Sequence, residues 1–96
     1  MRIPANEMGF SLCRTPKGRI VAGPVASGTP TRVDISVACP PGSRFVGLMH
    51  THPKLPNGQG GIPQLSATDR QSALRVGAKV SCVGTEKALR CFGVKK

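Results

Sequence analysis

The sequence has no tryptophan and no tyrosine, and only three phenylalanines. A site that stacks nucleic-acid bases on aromatic side chains is therefore poorly supplied. Acids are scarce as well, with four Asp and Glu against 14 Lys and Arg, so every carboxylate is a rare resource. No run of about 20 apolar residues is present, which excludes a membrane-spanning helix. The opening stretch MRIPANEMGF has one Arg and no apolar run, and does not read as a signal peptide. The cytoplasm is the expected location. Of the four cysteines, Cys13, Cys39, Cys82 and Cys91, no two have C-x-x-C spacing, which argues against a zinc ribbon or a thioredoxin-like site. Each sits in or beside an apolar stretch and is expected to be a buried free thiol.

Ninety-six residues are enough for a single domain, spanning 1–96, with a thin core. The formal net charge is +10, which attracts polyanions and acidic protein surfaces. The basic residues are scattered along the chain, and only Lys95 and Lys96 are adjacent. No dense basic run marks a nucleic-acid groove, so nucleic acid is a less favoured partner than protein or peptide.

Turn residues divide the chain into short elements. Residues 7–14 read as a strand ending at Thr15-Pro16-Lys17-Gly18, and 19–25 as its hairpin partner, with Pro24 marking an edge or an end. Residues 32–38 alternate polar and apolar and predict a half-buried strand. After Pro40-Pro41-Gly42-Ser43, residues 44–50 form a strand whose apolar centre suits the sheet interior. Residues 53–65 hold three Pro and three Gly without periodicity, a loop long enough to be functional. Ser66 is a good N-cap for a helix that Gly77 ends. Residues 78–84 and 88–94 complete a hairpin across Thr85-Glu86-Lys87. That turn sets Cys82 opposite Cys91, on one face with Val80 and Leu89, while Lys79, Ser81 and Arg90 take the other. Two buried thiols in contact are expected, with a disulfide geometrically open to them. The fold class is α/β: a small mixed β-sheet domain with hairpins and one helix.

The two histidines, His50 and His52, lie in Met49-His50-Thr51-His52-Pro53. Residues i and i+2 of a strand share a face, so both imidazoles can reach one ion, and Pro53 stops the strand beside them. Asp69, at the start of the helix in Ser66-Ala67-Thr68-Asp69, supplies a carboxylate. Two His and a carboxylate, with a fourth position for water, are a standard catalytic zinc set. Asp69 also suits a capping box with Ser66, and from the sequence the two roles compete.

Glu7 with Gly9-Phe10, then His50-Thr51-His52-Pro53, then Ser66-Ala67-Thr68-Asp69 heading a helix, resembles the JAMM (MPN+) metalloprotease family. The resemblance runs from residue 4 to the final hairpin. It implies an MPN-like fold, with His50, His52 and Asp69 as ligands of Zn2+ and Glu7 as the general acid/base for a zinc-bound water. Ser66 would donate to the oxyanion. It implies hydrolysis of peptide or isopeptide bonds, with conjugates of ubiquitin-like modifiers among the family's substrates. Two departures stand out. The gap from His52 to Ser66 holds thirteen residues, Pro53 to Leu65, more than is usual in the family. Only six residues precede Glu7, so the family's usual N-terminal helix is expected to be lacking. The sheet face it would cover is left for a partner or a second copy of the chain. The alternatives are a non-catalytic MPN-type scaffold, which typically lacks the metal residues, and a basic protein that associates with nucleic acid.

Overall fold

In the computed structural model, residues 6–29, 33–53, 67–86 and 88–94 are described. They form β1 (Met8–Arg14), β2 (Ile20–Ala22), β3 (Ala26–Ser27), β4 (Arg44–Thr51), α1 (Ala67–Arg75), β5 (Val80–Gly84) and β6 (Leu89–Gly93). The six strands make one sheet in the order β2-β1-β4-β5-β6, with β3 also paired to β1. The β4–β5 pair is parallel and the others are antiparallel. This is the mixed α/β sheet with one helix that the sequence pattern predicts, among the described residues.

A parallel pair needs a crossover, because its second strand must start at the end where the first one began. The chain between β4 and β5 contains α1, so the N-terminus of the helix comes after the carboxyl end of β4. The helix has little apolar surface, and Ala73 is its only buried residue. It stops at Gly77, whose φ of 77° is costly for any residue with a β-carbon. Gly77 N–H donates to the Leu74 carbonyl and Ala78 N–H to the Ala73 carbonyl, the paired bonds of a Schellman cap. Ala73 and Ala78 then join Leu48 in the core, with Ile35, Phe45 and Val94 packed around them.

Three expectations need correction. Residues 33–38 form no strand, although Val33 and Ile35 are less exposed than Asp34 and Ser36. Alternation reports which side chains face inward, not which backbones pair. One side of β1 is taken by β4 and the other by β2 and β3, so 33–39 crosses the sheet face as a strap. It is held by the Ser11 hydroxyl donating to the Ala38 carbonyl at 2.7 Å and by a Cys13–Cys39 disulfide. The expected strand over 19–25 is shorter, with β2 ending at Ala22 before Gly23 and Pro24, and Ala26–Ser27 adds an unexpected short strand, β3, because proline cannot donate to the ladder.

The third correction concerns the thiols. Cys82 does face Cys91 in register, but the pair is a disulfide and no described cysteine is free. Cys82 is buried, whereas Cys91 and Leu89 are exposed, because β6 is an edge strand and no described element covers that face. The expectation that both sulfurs lie on a buried side therefore fails for Cys91. Among the described residues no helix is long and apolar enough to cross a membrane.

Candidate metal centre

Burial along β1 alternates strictly, with Gly9, Ser11 and Cys13 inward, and Glu7 just ahead of the strand keeps the same phase and is also buried. Gly9 pairs with His50 of β4. Running the antiparallel ladder two residues further brings Glu7 towards His52. Thr51, between the histidines, faces the other side and pins this end of the sheet. The Met8 N–H donates to its hydroxyl at 2.9 Å. Thr51 is a positioning residue that the sequence reading passed over, and its place between two inward histidines was the available signal. His52 N–H donates to the Gly84 carbonyl, so its backbone is fixed to β5 although it lies past the last residue of β4.

Gly9 has a packing role. A β-carbon there would overlap the Ile35 side chain of the strap and lie 2.8 Å from the Met49 carbonyl. Glycine lets the strap lie close to the sheet beside His50.

The carboxyl end of β4 and the first turn of α1 bring three atoms together. His50 Nε2 is 2.9 Å from His52 Nε2, and Asp69 Oδ2 is 3.1 Å from the former and 3.0 Å from the latter. Hydrogen bonds alone do not account for this triangle. Each Nε2 has a single in-plane site, either one proton or one lone pair, so the two cannot fully satisfy three edges. A cation accepts all three lone pairs at once. The corners of a triangle with edges of 2.9 to 3.1 Å lie about 1.7 Å from its centre. Atoms this close to one another could all reach one ion at about 2.0–2.1 Å, the usual zinc distance.

Glu7, His50 and His52 also form a group able to hold a metal ion, with ligand atoms all within 4.8 Å of one another. Two triads thus share the histidines. The Asp69 triad is the better ligand set, because ligands around one small ion stand about 3.3 Å apart when bond lengths are about 2.0–2.1 Å. The looser placing of Glu7 suits a base that works through one intervening water. Its carboxyl is pushed above the ordinary carboxylate range, chiefly by burial, with the two histidines opposing the shift and Asp69 adding to it.

A cavity of about 600 Å³ opens beside the triad, lined by Glu7, His50 and Asp69 and by Ile35, Leu48 and Ser81. The Ser81 hydroxyl is buried there without a hydrogen-bond partner among the described residues. Of the residues singled out in the sequence, the structure brings together Glu7, His50, His52 and Asp69. Ser66 and residues 54–65 of the loop lie outside the described residues. Compared with known proteins, this chain has no match: no family model, no curated protein and no solved structure is similar enough to assign it to a family.

Proposed function

We propose that this chain is a zinc-dependent hydrolase of peptide or isopeptide bonds, of the JAMM type its motifs resemble. The observation that carries the reading is the convergence of His50 Nε2, His52 Nε2 and Asp69 Oδ2 at about 3 Å beside a buried carboxylate. Bound zinc supplies Lewis-acid polarisation of a carbonyl and lowers the pKa of water. Glu7 holds and moves the proton, taking it from the attacking water and giving it to the departing amine. Burial favours this role, since it holds the Glu7 carboxyl closer to neutrality than a solvated one. Ser66 is assigned the donor to the developing oxyanion, by resemblance alone.

Two histidines and one carboxylate also suit iron(II). The placing of Glu7 favours hydrolysis, because amide cleavage needs a proton carrier at the reacting atoms. The substrate class is an extended peptide tail, with a ubiquitin-like modifier conjugate as one form. The cavity beside the triad is roomy enough for a side chain of such a tail.

Elemental analysis and turnover of fluorogenic peptide amides test the reading together. The protein should carry zinc at one per chain, and Glu7→Gln should keep that zinc while losing about 10²–10⁴-fold in rate. A protein that purifies without metal and cannot be loaded would sink the metal assignment. Unchanged turnover in Glu7→Gln would remove Glu7 from the chemistry.

A further inference from the structure

The strands that end at the metal centre begin or end, on their other side, in cations. Arg14 closes β1, Lys17 and Arg19 lie in the turn to β2, Arg44 opens β4, and Lys79 immediately precedes β5. These are five of the eight Lys and Arg among the described residues, the others being Arg70, Arg75 and Arg90. None of the four acids is there. Glu7 and Asp69 belong to the metal centre, Asp34 lines the cavity beside it, and Glu86 is in the β5–β6 turn, two residues after the Gly84 that pairs with Thr51. At a strand rise of about 3.3 Å per residue, Arg14 is about 23 Å from Glu7 along β1. Positions far apart in the sequence are gathered by topology into one basic end.

At that end Arg14 and Arg44 sit in register, Arg19 lies opposite Thr15, and Lys79 lies opposite Val46, two residues inside Arg44. Arg14 and Arg44 are direct cross-strand partners, a like-charge pairing that costs stability. Together with Lys17 they line an open hollow of about 710 Å³ whose other walls are Thr15, Pro16, Gly18, Gly42 and Ser43. Among the described residues its lining has no acid, aromatic or methionine, so it lacks the apolar anchor that a protein interface centres on. It offers guanidinium forks, which match phosphate oxygens in pairs.

We infer that the hollow at this end of the sheet, with Arg14, Lys17 and Arg44 in its lining, binds the phosphate backbone of a nucleic-acid strand without reading its bases. Its three cations offer about three phosphate contacts. Among the described residues no base-stacking side chain lines the hollow, so binding rests on charge and is sensitive to salt.

Fluorescence anisotropy of a labelled oligo(dT) strand, titrated over a range of salt concentrations, tests this. Three phosphate contacts predict a slope of log K against log salt of about −2.1, and Arg14→Ala/Arg44→Ala should reduce it to about −0.7. The double variant Arg70→Ala/Arg90→Ala removes the same charge elsewhere and should leave the slope unchanged. Equal losses in the two double variants would reduce the effect to net charge and overturn the site. Displacement of the strand by polyglutamate as readily as by unlabelled oligo(dT) would instead assign the end to acidic protein, and would overturn the phosphate reading. Removing metal with EDTA should not alter the affinity, whereas a loss on chelation would place the strand at the metal centre.

Discussion

The two ends of the sheet contrast in how they gather charge. At the metal end, His50 of β4, His52 just beyond it and Asp69 of α1 converge to contacts near 3 Å, and His50 and Glu7 are buried. At the other end, Arg14, Lys17, Arg19, Arg44 and Lys79 are all exposed and spread at strand spacing. A metal site of the kind proposed needs lone pairs fixed to fractions of an ångström, which asks for close packing such as that of Ile35 over Gly9. An electrostatic docking surface acts over a Debye length of about 10 Å at 0.1 M salt and needs only that cations share one side of the fold.

The contrast is broken most sharply by metal. If the first end is a preformed zinc site, zinc at a thousandfold over its dissociation constant should stabilise the protein by about 4 kcal/mol. His52→Ala should lose that gain while keeping its affinity for polyanions. Denaturation with and without zinc reads the difference, and a His52→Ala protein that zinc still stabilises would remove His52 from the ligand set.

A smaller effect is expected at Gly9. Gly9→Ala forces a methyl group into the space of Ile35 and should cost about 1–3 kcal/mol, the usual range for overpacking. Urea unfolding measures it. An unchanged midpoint would mean that the strap does not press on the sheet beside His50.

The smallest effect has the opposite sign. Arg14→Ala relieves the pairing with Arg44 and should stabilise the chain by about 0.2–1 kcal/mol at low salt, the gain shrinking as salt rises. A destabilised Arg14→Ala protein would show that the guanidinium makes a favourable contact, and that the basic end is not held at a cost.

The same contrast explains what the sequence discloses. His50 and His52 were legible because a period of two is local, and Asp69 because helix starts have a recognisable composition. Gly77 announced the end of α1 for the same reason. Glu7 was singled out only through resemblance, because its nearness to the histidines depends on the pairing of Gly9 with His50 across 40 intervening positions, and nothing local encodes that register. The Cys13–Cys39 bridge was hidden likewise, since spacing does not choose partners. Residues 32–38 misled because alternation marks inward side chains whether or not the backbone joins a ladder. The basic end looked like scatter because its members come from three separate stretches of the chain.

The Cys13–Cys39 bridge closes residues 13 to 39 into a covalent ring. The turn bearing Arg14, Lys17 and Arg19 lies inside that ring, and it is an exposed site of the kind a Lys- or Arg-directed protease selects. A single cut there opens the ring without dividing the molecule, because the two halves remain tied through sulfur. Glu7 lies before the ring, and His50 and His52 lie after it. The molecule can thus lose the continuity of its docking turn while the residues proposed for its chemistry remain on one covalent body.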